Sequence, residues 1–155
     1  MNAAFKEHID ALPELLNRLL AAEPVRVGEC PSSLAASGVY VLSEKGTHLY
    51  VGRSDRLRAR MRDHGNPSSA QTKSAFAFRL AREATGQVRA SYKPKGSRKE
   101  LMQDPMFSAE FVKAKARIAQ MDMRCIEVSD PIRQALLEMH AALELQTPYN
   151  SFGNH

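Results

Sequence analysis

The stretch GVYVLSEKGTHLYVGR, residues 38–53, decides the fold that the sequence predicts. It contains two short runs of β-branched and aromatic residues, 38–42 and 48–51, and such runs are typical of strands. Between them, Glu44-Lys45-Gly46 supplies a glycine where the chain would turn back on itself. The stretch therefore predicts a β-hairpin.

The residues before the hairpin predict a helix and then an irregular connection. Apolar residues recur at helical spacing through the first 22 residues, at Phe5, Ile9, Leu12, Leu16 and Leu19. Pro13 interrupts this amphipathic pattern and predicts a split into two short helices. Residues 23–37 are rich in proline, glycine and serine, which indicates turns.

Further helices are predicted after the hairpin. Ser54 is a suitable cap for a helix that ends near Gly65. A second helix is predicted over residues 72–85, with Gly86 as its stop. Helical propensity returns over residues 107–119.

A third strand and a last helix complete the predicted elements. The strand covers residues 123–128, and Asp130-Pro131 is a typical helix start, from which the last helix runs to about Gln146. Its predicted buried stripe is Ile132, Leu136, Met139 and Leu143. The expected fold class is α/β, with a small, mainly antiparallel, three-stranded sheet flanked by helices, an N-terminal helical extension and a helical insertion.

Length and composition favour one domain. The chain has 155 residues and a mass of 17.2 kDa, with 43% hydrophobic and 25% charged residues, as in ordinary globular proteins. No apolar run is long enough to span a bilayer, and the charged N-terminal residues do not resemble a signal peptide, so we expect a cytoplasmic protein. Cys30 and Cys125 are far apart in sequence, which favours reduced thiols over a zinc site or a disulfide.

Positive charge is concentrated in the middle of the chain. Residues 53–99 hold thirteen Lys/Arg and three Asp/Glu, whereas residues 1–52 and 100–155 are each net acidic. Such a concentration indicates a polyanionic partner, above all nucleic acid. A solvated basic face is the alternative interpretation.

A row of basic residues follows the hairpin. Arg53 precedes the predicted helix, and Arg56, Arg60 and His64 fall within one sector of its face. Arginine forks match the oxygens of a phosphodiester and stabilise the charge that grows in its transition state. Taken alone, the row also fits a solvated helix face.

Several of these residues together resemble the GIY-YIG nuclease family. Gly38-Val39-Tyr40 and Tyr50-Val51-Gly52 match the two tripeptides that name the family, with valine in place of isoleucine in both. The family pattern continues with an arginine and a histidine or tyrosine on the next helix, a glutamate on a later helix and an asparagine near the C-terminal end. The matching residues are Arg60, His64, Glu138 and Asn150.

The resemblance implies a single nuclease domain over residues 1–155. Residues 37–66 and 121–151 would form its catalytic core, residues 1–36 a helical extension and residues 67–120 a basic helical insertion that docks DNA. The implied activity is a metal-dependent endonuclease that hydrolyses phosphodiester bonds in DNA, through a water that attacks in line with the leaving oxygen.

The resemblance also implies which residues act on the attacking water. Either Tyr40 or Tyr50 would orient or deprotonate it, and the sequence leaves open which of the two is the base. A tyrosine has an ordinary pKa near 10, so this role needs nearby positive charge. Arg53 and Arg60 are the expected sources of that charge.

The remaining implied roles concern phosphate, metal and positioning. Arg60 would hold the scissile phosphate, and His64 would bind phosphate or assist proton transfer. Glu138 would carry Mg²⁺ or Mn²⁺, since Mg²⁺ keeps several waters and uses only one or two carboxylates. Asn150 would fix the local hydrogen bonding.

Other basic residues are predicted to contact the nucleic-acid backbone without reading its sequence: Arg56, Lys73, Arg79, Arg82, Lys93, Lys95, Arg98 and Lys99. Two alternatives stay open. One is a catalytically inactive nucleic-acid-binding module of the same fold, and the other is an RNA-directed nuclease. Because one compact module covers little DNA, recognition of a long site would require a homodimer or a protein partner.

Overall fold

The computed structural model describes residues 1–67, 74–86 and 98–153. Its helices are α1 (Ala3–Ala21), α2 (Leu57–Gly65), α3 (Ala75–Thr85), α4 (Arg98–Gln103), α5 (Pro105–Ala119) and α6 (Pro131–Glu144). Its strands are β1 (Val25–Arg26), β2 (Gly38–Glu44), β3 (Thr47–Ser54) and β4 (Asp122–Glu127). None of the helices in these described ranges is long and apolar enough to cross a membrane.

The sheet is antiparallel throughout and has the strand order β1-β4-β2-β3. The predicted α/β class is confirmed, but the sheet has four strands and not the three that the sequence predicted. The additional strand, β1, lies in the stretch expected to form turns. Two residues are too short for an alternating pattern, so β1 exists only through its pairing with β4.

The predicted hairpin is confirmed and consists of β2 and β3. Lys45 and Gly46 connect the strands with φ of 51° and 81°. Positive φ at both central residues is what a two-residue type I′ turn requires, and such a turn matches the twist of the two strands. The hairpin pairs Tyr40 with Gly52 and Leu42 with Tyr50.

Two hydrophobic cores lie on opposite faces of the sheet, because successive residues of a strand point to opposite sides. Val39 and Val41 of β2 pack with α1 and α6. Tyr40 and Leu42 of the same strand pack with α2, α3 and α5. The sheet is therefore covered by helices on both faces, and β2 contributes to both cores.

Several predictions for the helices differ from the structure. The N-terminal helix is continuous through Pro13, because Leu12, Leu16 and Leu19 on either side of the proline are buried against the sheet. The helix after the hairpin begins at Leu57, since Ser54 completes β3 and its Oγ accepts a hydrogen bond from the backbone N–H of Arg56. The last helix ends at Glu144, two residues before the expected end.

The buried face of α6 also differs from the prediction. The helix buries Gln134, Leu137, Ala141 and Ala142, whereas Ile132, Met139 and Leu143 are 57%, 46% and 66% exposed. Small side chains at 141 and 142 allow α6 to approach the sheet closely. The close packing outweighs the burial of the larger apolar side chains at 132, 139 and 143. The rotation turns Glu138 toward β3.

Candidate active site

A pocket of about 410 Å³ lies beside β3. Its lining residues are Tyr40, Tyr50, Arg53, Arg60, His64, Ala75 and Glu138. Six of these seven are residues that the sequence singled out. They come from β2, β3, α2 and α6, so the fold brings together positions that span nearly one hundred residues of chain.

The pocket draws residues from both faces of the sheet. Tyr40 and Tyr50 lie on the face covered by α2 and α3. Arg53 pairs across the hairpin with Val39, which belongs to the opposite core, and its Nε donates to Glu138 Oε2 at 3.0 Å. Since β3 is at the end of the sheet order, groups from the two faces meet around its edge.

Two glycines permit the close packing that places Tyr40. A Cβ on Gly52 would lie 2.3 Å from Tyr40 Oη and 2.4 Å from its Cζ, so the ring lies directly over a residue that must lack a side chain. A Cβ on Gly38 would lie 1.9 Å from the carbonyl oxygen of Ile126 on β4. These steric demands explain why glycine occurs in both tripeptides of the hairpin.

Tyr40, His64 and Ser74 form a buried chain of hydrogen bonds. Tyr40 Oη lies 2.7 Å from His64 Nε2, and His64 Nδ1 lies 3.3 Å from Ser74 Oγ. A neutral imidazole has one donor and one acceptor nitrogen. With Nδ1–H donating to Ser74, Nε2 accepts the hydroxyl proton of Tyr40, and every member of the chain has a partner.

His64 is uncharged at neutral pH. It is 2% exposed, and burial, together with the positive charges of Arg60 and Lys115, lowers its pKa to about 3. The predicted basic row along α2 therefore does not include His64, which belongs to the core. A neutral His64 is suited to accept a hydrogen bond from Tyr40 and unsuited to attract phosphate by charge.

Neither tyrosine is ionised in the resting pocket. Burial raises the pKa of Tyr40 well above its usual value, and nearby Tyr50 raises it further. Burial and the negative charge of Glu138 raise the pKa of Tyr50. Arg60 acts in the opposite direction on both hydroxyls but does not outweigh burial. Only Tyr40 bonds to His64, which distinguishes the two.

Glu138 is the carboxylate of the pocket, and its side chain is 24% exposed. Burial raises its pKa, while the hydrogen bond and charge of Arg53 and the charge of Arg60 act to lower it. One turn earlier, Gln134 Nε2 donates to the carbonyl oxygen of Val128 and, at 3.2 Å, to Asp55 Oδ1. These bonds hold the first part of α6 against the sheet and so position Glu138.

The pocket fits a metal ion that takes few protein ligands. Within residues 1–67, 74–86 and 98–153, no group of three or more His, Cys, Asp or Glu side chains could enclose a metal. Mg²⁺ commonly binds one or two carboxylates and completes its shell with water and substrate phosphate. Glu138 with water and phosphate oxygens matches that set, and a structural zinc site does not.

Asn150 contacts the edge of β3 and does not line the pocket. Its Oδ1 accepts from the backbone N–H of Val51 and its Nδ2 donates to the carbonyl oxygen of the same residue, both at 2.8 Å. Thr147 Oγ1 donates to the same Oδ1 at 2.7 Å. The amide thus pairs an edge strand at the point between Tyr50 and Gly52, which fits the predicted positioning role.

The predicted backbone-contacting residues have different environments. Arg56, Arg98 and Lys99 are exposed, and Arg79 is half-buried. Arg82 is only 7% exposed, so this predicted contact is largely buried in the free protein. The predicted contacts Lys73, Lys93 and Lys95 lie outside the described residues.

Three contributors to the site were not predicted. Ser74 supports His64 and also caps α3 by accepting from the Ala77 N–H, and a serine before a helix was its one sequence signal. Phe76 stacks on Tyr50 with ring centroids 4.9 Å apart. Lys115 donates to the carbonyl oxygens of Asp63 and Asn66 around His64. Contacts of this kind depend on tertiary packing.

Comparison with known proteins found no match. Neither a family model, nor a curated protein, nor a solved structure matched the chain. The geometry of the pocket is therefore the basis for a functional assignment.

Proposed function

We propose that the protein is a metal-dependent endonuclease of GIY-YIG type that hydrolyses phosphodiester bonds in DNA. The observation that carries this proposal is one pocket lined by two tyrosines, two arginines, a buried histidine and a single carboxylate. A protein that only bound nucleic acid would need the arginines but not the buried Tyr40–His64–Ser74 chain. The concentration of positive charge in residues 53–99 supports a polyanionic substrate.

Arg60 and Arg53 bind the scissile phosphate in this mechanism. Both line the pocket, and guanidinium groups stabilise the charge that accumulates on phosphate oxygens in the transition state. Arg53 also bonds to Glu138. It therefore aligns the carboxylate in the free protein and shifts toward phosphate when the substrate binds.

Tyr40 orients the attacking water and passes on its proton. Its O–H is directed to His64 Nε2, so its remaining lone pair accepts a hydrogen bond from water. As the water oxygen attacks phosphorus and the bond from phosphorus to the leaving oxygen breaks, the water proton moves to Tyr40 Oη and the Tyr40 proton moves to His64 Nε2. The leaving oxygen takes up a proton from solvent water. A bound phosphate offsets the positive field of Arg60, which in the free protein helps to lower the pKa of His64.

Glu138 is the residue that would hold Mg²⁺ or Mn²⁺. A metal bound there would supply Lewis-acid stabilisation of the phosphate and its leaving oxygen. Ala135, three residues before Glu138 on α6, has a small side chain that leaves space on this side of the helix.

The test is a cleavage assay with a matched pair of variants. Supercoiled plasmid, branched duplex, single-stranded DNA and RNA are incubated with the protein in Mg²⁺, in Mn²⁺ or in chelator. Glu138→Gln removes the metal-binding charge, and Glu144→Gln makes the same change at an exposed position of the same helix. We expect DNA cleavage that needs metal, falls by at least about a thousandfold in Glu138→Gln and persists in Glu144→Gln.

Other results would select the alternatives. Salt-sensitive binding without cleavage in either metal would favour an inactive nucleic-acid-binding module. Cleavage confined to RNA would favour an RNA-directed nuclease that uses the same pocket.

A further inference from the structure

Arg82 is a buried cation, and two of its nitrogens find no hydrogen-bond partner among the residues that the structure describes. The side chain is 7% exposed, and the two nitrogens are Nε and Nη2. An unpaired buried guanidinium is costly, and nearly all buried polar groups in proteins are hydrogen-bonded. The position therefore requires an explanation beyond packing.

Two further arginines surround Arg82. Arg82 Cζ lies 4.7 Å from the ring centroid of Phe78, and Arg98 Cζ lies 5.1 Å from the centroid of the same ring. Burial and the positive charges of Arg98 and Arg79 lower the pKa of Arg82. The arginine cluster, Arg79, Arg82 and Arg98, thus concentrates like charges at one place on α3 and α4.

Acidic groups do not balance this cluster. Among the described residues, no ion pair involves any of the three arginines. Glu83, the nearest acidic residue in sequence, accepts a hydrogen bond from Tyr149 Oη. Residues 87–97, which separate α3 from α4 in sequence, contain no Asp or Glu. An anion from outside the chain is the partner that would neutralise the cluster.

The cluster and the pocket lie along the same helix. Ala75 lines the pocket, and Arg79 and Arg82 follow it at spacings of four and seven residues, which share one helix face. Residue 82 is about 10 Å from residue 75 along the axis at about 1.5 Å per residue. Arg79 is close enough to the pocket to act on the pKa of Tyr50.

We propose that Arg79, Arg82 and Arg98 form a second anion site, which holds a backbone phosphate of the substrate strand. A distance of about 10 Å corresponds to about three nucleotides at the axial rise of about 3.4 Å per strand phosphate. The guanidinium group of arginine donates paired hydrogen bonds to phosphate oxygens. In a buried arginine these donors lie in a desolvated setting. This inference rests on the proposed function, since it assigns the place of the substrate strand relative to the scissile phosphate.

The test measures binding separately from cleavage. The whole chain in chelator binds a fluorescein-labelled single-stranded DNA, followed by anisotropy over a range of salt concentrations. The variants are Arg82→Met and Arg98→Met, and Arg18→Met is the control. Arg18 is exposed on α1, which packs on the opposite face of the sheet from α3. Arg98 is itself exposed, so its substitution does not depend on refolding of a buried site.

We expect each cluster variant to bind about tenfold more weakly, with a log–log salt slope less steep by about 0.7, the value for one phosphate contact on a single strand. Arg18→Met should retain both the affinity and the slope of the wild type. Wild-type affinity and slope in both cluster variants would overturn the proposal.

Inorganic phosphate distinguishes a strand phosphate from a free one. If it raises the Tm of the wild type but not that of Arg82→Met, while Arg82→Met binds DNA like the wild type, the cluster holds free phosphate and the strand assignment is wrong. If the cluster variants show the change in salt slope but the wild type cleaves no substrate, the anion site is supported and the nuclease assignment is wrong.

Discussion

Two basic side chains are buried on the same side of the sheet but differ in their hydrogen bonding. Lys115 of α5 has 0% exposure, and its Nζ donates to the carbonyl oxygens of Asp63 and Asn66, both at 2.9 Å. Arg82 of α3 is 7% exposed, and its Nε and Nη2 have no partners in the described part of the chain. Each lies over a phenylalanine ring, at 5.2 Å for Lys115 and 4.7 Å for Arg82.

From this difference we take Lys115 to be a structural cation and Arg82 to be part of the proposed anion site. Lys115 donates to carbonyls at the C-terminal end of α2, where unpaired carbonyls and the helix dipole favour positive charge. Its bond to Asp63, the neighbour of His64, holds the turn of helix that carries the histidine. Within the described residues Arg82 receives no comparable compensation, and this is the basis of the proposed anion site.

The largest expected effect comes from removing the structural cation. Lys115→Met would remove the buried ammonium group that donates to the carbonyl oxygens of Asp63 and Asn66, and we expect the free energy of unfolding to fall by about 2–4 kcal/mol. Lys113→Met, at an exposed position on the same helix, should change it by less than about 0.5 kcal/mol. Urea unfolding of both variants measures the contrast. Equal stability of the two would show that Lys115 is not structural.

A third buried titratable group, His64, avoids the cost of buried charge by staying neutral. Its folded pKa of about 3 lies below the unfolded value of about 6.5, so acid favours the unfolded chain. The contribution of neutral His64 to the free energy of unfolding is fully present above about pH 6.5. It is lost as pH falls, and the loss is about 2 kcal/mol at pH 5. Urea unfolding at pH 7 and pH 5 should show a smaller pH dependence in His64→Gln than in the wild type. The same pH dependence in both proteins would contradict a depressed pKa.

Arg82→Met should act in the opposite direction to Lys115→Met. Replacing an unpaired buried charge with an apolar side chain of similar length should leave the unfolding free energy unchanged or raise it by about 1 kcal/mol. Thermal and urea unfolding beside Arg18→Met test this. A loss of more than about 2 kcal/mol would place Arg82 with Lys115 as a structural residue.

The smallest effect is expected at Glu138. Burial raises the pKa of this carboxyl more than Arg53 and Arg60 lower it, so its charged form is disfavoured by the fold. Glu138→Gln should therefore raise stability at pH 7 by a few tenths of a kcal/mol while it removes activity, a common exchange at functional sites. Thermal unfolding beside Glu144→Gln measures the change. A clearly less stable Glu138→Gln would mean that the Arg53 ion pair is structural.

Local sequence signals were sufficient for much of the fold. The hairpin turn, the stop at Gly86 and the cap at Asp130 all follow from backbone chemistry within a few residues, and all are present. The errors arose where distant contacts decide. Strand β1 depends on β4, α1 stays straight because the sheet holds it, and the buried face of α6 follows from how closely the helix can approach.

The candidate site shows the same division. Tyr40, Tyr50, Arg60, His64 and Glu138 could be selected from the sequence through its resemblance to the pattern of a known family. Their protonation states and hydrogen-bond partners could not be predicted from the sequence. Neutral His64, un-ionised tyrosines and the pairing of Asn150 with an edge strand arise from burial and from groups far away in sequence.

The sequence by itself determined where the hairpin turns and most of the helical segments, since these depend on residue type and short-range spacing, and its resemblance to a family pattern selected the residues of the candidate site. Only the tertiary structure decided that groups from both faces of the sheet meet around β3, and that of two buried cations one is satisfied and one is not. The physical reason is that burial, electrostatic fields and hydrogen-bond partners are properties of the space around a residue, and distant parts of the chain fill that space.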